Sequence, residues 1–217
     1  MCGRYVITYT LDELRQIFGT EDRPNFEPTW NAAPTDALPV VRRGKDAEPH
    51  LSLVRWGLVP HWKADGPSYK DPINARAETA AEKPMFRQAL SRRRALVPAN
   101  GFYEWRKEGE AKEPWYITRT DGAPLVFAGL WERWGEGDAA LDSFAILTTE
   151  ANADIRAIHH RCPVLVGPED FTRWLDPETD PGPLLTPPPD ATLAARRVSK
   201  KVNNVRNDGP DLIVPEG

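Results

Sequence analysis

At 217 residues the chain is long enough for one good hydrophobic core and short for two, and its 40% hydrophobic and 28% charged residues are those of a globular protein. The net charge of −4 weighs against a protein that coats nucleic acid, and apolar runs fall short of the roughly 20 residues of a membrane span. Met1 to Thr10 lacks the apolar segment of a signal peptide, and Cys2 and Cys162 are too few for a disulfide framework or a zinc site, so a reducing, cytoplasmic setting is expected, nucleoid-associated in a bacterium.

In chain order, Arg4–Thr8 reads as a short strand. Thr10 and Glu13 form a capping box, and Leu14, Ile17 and Phe18 follow at helical spacing, which predicts a helix to about Phe18. Gly19–Thr35, interrupted by Pro24, Pro28 and Pro34, reads as a long loop. Strands are predicted at Ala37–Arg42 and Leu51–Trp56, an irregular stretch at Gly57–Ile73, and a helix at Pro84–Arg92 with proline in its first turn. Strand-like runs follow at Ala95–Val97, Phe102–Trp105, Trp115–Thr118, Leu125–Trp131 and Phe144–Thr148. A short helix is predicted over Asn152–Ile158, then a strand at Val164–Val166, a helix at Glu169–Leu175 and a tail rich in Pro and Asp from Pro177. With no repeat and no break in composition, the pattern predicts one α+β domain over residues 1–217, with a curled, barrel-like mixed sheet and a few short helices. A monomer with no obligate protein partner is expected.

Charge is uneven along the chain. Between Arg76 and Lys107 eight Lys and Arg face three Glu. The triplet Arg92, Arg93, Arg94 reads as a solvated helix end, where cations suit the dipole.

Several residues have the chemistry for a reactive site. Removal of Met1 would leave Cys2 with a thiol and an α-amine on neighbouring atoms. Their ordinary pKa values, about 8.5 and about 7.7–8, give both a nucleophilic fraction near neutral pH. An amine captures an aldehyde as a Schiff base, and the tethered thiol then closes a five-membered thiazolidine. M-C alone, however, is more often a chance cysteine. Gly3 would let a substrate approach the backbone, and Arg4 has the fork to hold a phosphate, against the plainer reading of a turn glycine and a surface arginine. Asn74 offers a donor and an acceptor, and Arg76 shares its face if I-N-A-R is extended; a turn asparagine is the plainer alternative. Glu104 lies in the aromatic run G-F-Y-E-W, where burial would raise its pKa and suit it to general acid work, unless it simply faces outward. His159, at the end of the predicted helix, suits acid–base chemistry, and Arg161 is a second phosphate ligand. No metal-ligand spacing accompanies His159 and His160, and no cofactor is expected. Cys162 reads as an inert core thiol. Trp62, in an irregular loop beside basic residues, is placed to stack on a base.

Taken together and in order, M-C-G-R-Y, W-N-A-A-P, R-W-G-L-V-P, I-N-A-R-A-E-T, G-F-Y-E-W, A-G-L-W-E, I-H-H-R-C-P and the closing V-S-K-K-V-N-N closely resemble the SOS response-associated peptidase family of abasic-site processing proteins. The resemblance implies a single domain with a positively charged groove for single-stranded DNA, loss of Met1 by self-cleavage or an aminopeptidase, and a thiazolidine crosslink between Cys2 and a ring-opened abasic sugar. It implies Asn74, Glu104 and His159 as the remaining active-site residues, Arg4, Arg76 and Arg161 as phosphate contacts, and Trp62 as the stacking aromatic. Weak lyase activity by β-elimination from the Schiff base is also expected. His160 and Cys162 depart from the family pattern, which often has an acid and a methionine there. Two other readings remain: a module that binds single strands without covalent chemistry, and a glutamine amidotransferase of the N-terminal-nucleophile class, which also begins Met-Cys-Gly but leaves N-A-R-A-E-T and G-F-Y-E-W unexplained.

Overall fold

The computed structural model describes residues 2–216. Met1, whose removal the Cys2 chemistry requires, lies outside the described residues. The first strand, β1 (Tyr5–Ile7), leads into helix α1 (Leu11–Phe18). Its capping box forms as the sequence predicts: the Glu13 amide donates to Thr10 Oγ1 at 3.2 Å and the Thr10 amide donates to the Glu13 carboxylate at 2.7 Å. Gly19, at φ 65°, ends the helix in the left-handed conformation that glycine tolerates. The remaining strands are β2 (Thr29–Ala32), β3 (Ala37–Arg43), β4 (Pro49–Trp56), β5 (Asn74–Arg76), β6 (Arg94–Ala99), β7 (Gly101–Glu108), β8 (Ala111–Arg119), β9 (Leu125–Trp134), β10 (Leu141–Glu150), β11 (Arg161–Pro163) and β12 (Leu193–Arg197). Helices α2 (Ala77–Ala80), α3 (Pro84–Arg92) and α4 (Phe171–Leu175) are short.

Two sheets form. One is antiparallel, in the order β12-β8-β7-β1-β2. In the other, β10, β4, β3, β6 and β9 close on themselves through the β9–β10 pairing. This is a mixed barrel, because β10 runs parallel to β4 and to the short β5. The α+β, barrel-like expectation therefore holds, and closure removes the barrel's edges.

The sheets meet through aromatics. Tyr5 packs against Trp56 and Phe127 with ring centres 5.1 and 5.9 Å apart, and Phe102 meets Phe127 edge-on at 5.9 Å. The opposite face of the five-stranded sheet is buried too. Val6, Tyr103 and Tyr116 lie there under Val198, Val202 and Leu212. The tail predicted to be irregular is thus part of the fold, since β12 adds to β8 and two 3-10 turns cover a second small core.

Other expectations need correction. Gly19–Thr35 contains β2, which pairs with β1; proline spacing cannot report a partner that lies far away in sequence. Asn152–Ile158 is a series of turns rather than a helix. The Asp154 carboxylate accepts from the Ala191 and Leu193 amides, which ties the segment to the tail instead of to itself. The strand predicted at Val164–Val166 lies earlier, at Arg161–Pro163, and Leu165 makes only an isolated bridge to Phe127. The Arg92–Arg94 triplet is not simply a solvated helix end. Arg93 pairs with Glu132 at 2.6 Å. Arg94 is buried and donates to the carbonyls of Leu90, Trp174, Asp176 and Thr179.

Candidate active site

Four of the residues singled out in the sequence converge. Cys2 is fully buried at the start of the chain, with its Sγ 3.9 Å from the Arg4 carbonyl oxygen. Asn74 opens β5, which is held in register by its parallel pairing to β10 and by the Ile73 carbonyl, an acceptor for both Trp56 Nε1 and the Ile146 amide. From there Asn74 Nδ2 donates to the Cys2 carbonyl at 2.9 Å. Asn74 Oδ1 is buried beside it, with no hydrogen-bond partner among the described residues. The conjecture that Asn74 and Arg76 share a face requires an extended segment, and β5 is one.

Glu104 lies on β7 two residues after Phe102, on the alternation that faces the core, and is 2% exposed. Burial raises its carboxyl above the ordinary range. Its Oε1 stands 4.0 Å from His159 Nδ1. His159 follows the turns after β10. Nδ1 lies 3.0 Å from the Arg161 amide, which can only donate to it, and 3.2 Å from the Arg161 carbonyl oxygen, which can only accept from it. Burial, helped by the Arg161 guanidinium, pulls the His159 pKa down to about 4. The imidazole is therefore neutral near pH 7. The Cys2 thiol moves the other way. Burial pushes it well above the thiol range, and the Glu104 carboxylate adds to the shift.

Glu104 and His159 rim an open cleft of about 420 Å³ together with Trp105, Lys112 and Asn203. Trp105 Nε1 donates to Asn203 Oδ1 at 2.7 Å, which fixes the cleft wall. Sequence reasoning passed over Lys112 and Asn203. For Asn203 the signal was present in V-S-K-K-V-N-N; for Lys112 nothing local distinguished it from other strand lysines.

Of the four residues expected to contact DNA, Arg76 and Arg161 line one cleft, of about 440 Å³, whereas Arg4 and Trp62 do not line it. Arg76 is exposed on β5. Arg161 is buried and engaged: its guanidinium holds Glu78 through two bonds of 2.7 and 2.8 Å and the Thr148 carbonyl at 2.6 Å. Arg4 is partly buried and donates to Asn31 Oδ1 at 2.9 Å and to the Val202 carbonyl at 3.0 Å, linking β1 to the C-terminal segment. Trp62 is 57% exposed on a loop that is firmly braced. Trp134 Nε1 donates to the Lys63 carbonyl at 2.7 Å, and Asp71 pairs with both Arg55 and Lys63. Cys162 is buried, and its thiol pKa is pushed up to about 11, as a core cysteine's would be. Among the described residues, no cluster of three His, Cys, Asp or Glu is arranged to hold a metal ion, and no helix is long and apolar enough to cross a membrane.

Comparison with known proteins places the whole chain in a family. The family model described as SOS response associated peptidase (SRAP) matches residues 1–205. The chain is 37% identical over 224 residues to the abasic site processing protein YoqW of Bacillus subtilis, covering 98% of this chain and 99% of that one. It is 31% identical over 227 residues to the abasic site processing protein YedK of Escherichia coli, covering 99% and 100%. A crystal structure of a protein from Bacteroides thetaiotaomicron superposes with a TM-score of 0.88 at 24% identity, over 99% of this chain and 100% of that chain, a likeness of fold. By the match over nearly its whole length, the chain belongs to the SOS response associated peptidase (SRAP) family.

Proposed function

We propose that this protein captures abasic sites in single-stranded DNA covalently, through Cys2 after Met1 has been removed. The observation that carries the reading is the anchoring of Cys2 by Asn74 at 2.9 Å beside a buried Glu104 and a neutral His159 that stand 4.0 Å apart. The names of the relatives, which process abasic sites, point the same way.

The ring-opened abasic sugar presents an aldehyde. The Cys2 α-amine adds to its carbon, and the resulting carbinolamine loses water to give an imine. The Cys2 thiol then adds to the imine carbon, with its proton passing to the nitrogen, and closes the thiazolidine. Glu104, kept protonatable by burial, donates to the departing hydroxyl. Neutral His159 accepts and returns protons during ring opening. The raised pKa of the thiol makes the amine the first nucleophile. It also leaves the imine time for β-elimination, so weak strand cleavage should accompany capture. A sugar without a base enters the cleft without the unstacking cost of a normal nucleotide. Arg76, exposed on β5, and Trp62 on its braced loop are assigned to phosphate and base, with Arg4 and Arg161 in support.

Intact mass of the protein after mixing with an abasic oligonucleotide tests this. Loss of Met1 and a mass increase equal to the oligonucleotide minus one water are expected, and both the adduct and its survival of denaturation should vanish for Cys2→Ala. Equal adduct from Cys2→Ala and wild type would overturn the reading. Unchanged affinity in Cys2→Ser with no adduct in wild type would select the non-covalent module instead.

A further inference from the structure

Two motifs singled out in the sequence, W-N-A-A-P and V-S-K-K-V-N-N, have no part in the chemistry above, yet the fold joins them through one side chain. Asn31 lies on β2, at the edge of the five-stranded sheet, and is 3% exposed. Its Nδ2 donates to the carbonyls of Asn207 at 2.8 Å, Asn204 at 3.1 Å and Val202 at 3.4 Å. Its Oδ1 accepts from Arg4 Nη1 at 2.9 Å, and the same Nη1 donates to the Val202 carbonyl at 3.0 Å. The segment 199–208 contains one short 3-10 turn, Lys200–Asn203, so its carbonyls need side chains as partners. Neighbours reinforce the tie: the Trp30 amide donates to Asp208 Oδ1 at 2.7 Å, and Asn207 Nδ2 donates to the Lys201 carbonyl at 2.8 Å. The segment so held carries Asn203, whose Oδ1 accepts from Trp105 Nε1 at 2.7 Å. Trp105 follows Glu104 directly on β7, and both line the cleft of His159 together with Asn203.

We infer that Asn31 is a positioning residue for abasic-site capture: it clamps the segment 199–208 onto β1 and β2 and, through Asn203 and Trp105, sets the cleft wall that holds the sugar against Glu104. This rests on the function proposed above. The amide matches the task, because one end must donate to main-chain oxygens while the other accepts from Arg4, and an asparagine does both. Aspartate, of the same size, keeps an acceptor for Arg4 but turns a carboxylate toward carbonyl oxygens. One substitution therefore releases the segment without releasing Arg4.

The test uses the full chain and a single-stranded abasic oligonucleotide. Adduct formation is followed over a range of protein concentration for wild type, Asn31→Asp, Asn203→Ala and the double variant. At saturating protein Asn31→Asp should be slower by about 10-fold, a loss of orientation, while its half-saturating concentration changes by less than about twofold, since Arg76 and Trp62 are untouched. Asn203→Ala should slow the reaction similarly, and the double variant should be no slower than the slower single one, because both changes act through the same wall. Hydrogen exchange should show the amides of 199–208 opening about 10-fold more readily in Asn31→Asp, with those of β10 unchanged. Losses that multiply in the double variant, unchanged exchange in 199–208, or a rate equal to wild type once scaled to the folded fraction would each overturn the inference. If Asn31→Asp does not fold, Asn31→Ser, which keeps one donor on a smaller side chain, carries the same comparisons. A wild type that forms no adduct would overturn the proposed function and this role with it, whereas a wild-type adduct with unaffected variants overturns the role alone.

Discussion

The side-chain amide of Asn74 donates to the main-chain carbonyl of Cys2 across 72 residues of sequence, at 2.9 Å. The bond ties β5 to a residue three positions before the first strand and leaves the second half of the same amide, Oδ1, buried and ready to accept. A reactive residue at a chain end would otherwise fray. Asn74→Ala should therefore slow adduct formation by about 10- to 100-fold, as expected for lost orientation. Single-turnover rates at saturating protein read this, with binding to undamaged single strands as the control that should hardly move.

Glu104 should show opposed effects on stability and activity. Its folded pKa is raised, so the folded state holds that proton more tightly than the unfolded chain does. The stability linked to Glu104 is present below the ordinary carboxylate range and is lost as pH rises through the folded value. Glu104→Gln escapes that loss. It should be more stable than wild type at neutral pH, by on the order of 1 kcal/mol, with the gain shrinking toward pH 4. Its crosslinking rate should fall by about 10²-fold, the usual contribution of a general acid. Melting curves across pH and adduct kinetics at pH 7 check the pair, and a fall in both would count against a functional acid.

His159 gives the opposite dependence on acid. Its pKa is pulled from 6.5 to about 4, so between these values the unfolded chain binds a proton that the folded protein does not. Stability linked to His159 is present above pH 6.5 and is lost as pH falls through that window. His159→Gln removes this component, and its melting temperature should decline less steeply than that of wild type between pH 6.5 and 4. The rate of capture by wild type should show no ionisation of His159 near pH 6.5.

Glu78 separates two roles for Arg161. The Arg161 guanidinium is buried and doubly bonded to Glu78, and that pairing holds the Glu78 carboxyl below its usual range. Glu78→Gln leaves the cation underpaired, which should cost about 1–3 kcal/mol of stability. The same change adds net positive charge beside Arg76 and should tighten single-strand binding a few-fold at low salt. A thermal melt and a salt titration on one variant suffice; weaker binding would mean that the pair positions Arg161 for the strand.

Arg94 should matter to folding alone. One guanidinium satisfies carbonyls near the end of α3, within the last turn of α4 and just after it, a geometry that needs the planar fork. Arg94→Lys keeps the charge but loses donors and should destabilise by about 2–3 kcal/mol. Denaturant titration measures this, and the crosslinking rate of the folded fraction should be unchanged.

Local chemistry was legible in the sequence wherever a residue carried its own signal. The capping box at Thr10 and Glu13, the helix from Pro84 and the ordered motifs that mark the family all depend on neighbours a few residues away, whereas whether Glu104 faced inward stayed open until the fold buried it. Those motifs, with the hydrophobic patterning, determined the fold class and the identity of Cys2, Asn74, Glu104 and His159 as candidates. The tertiary structure alone decided what depends on distant partners: that β2 and β12 exist as pairing strands, that Arg94 is buried as a cap, and that Arg161 is bound to Glu78. It also decided the charge states near Cys2. A sequence names ionisable groups, but burial and the charges around them set whether His159 is neutral and whether Glu104 keeps its proton. Cys2 shows the division most plainly: the sequence names the thiol, and only the packed structure buries it and raises its pKa.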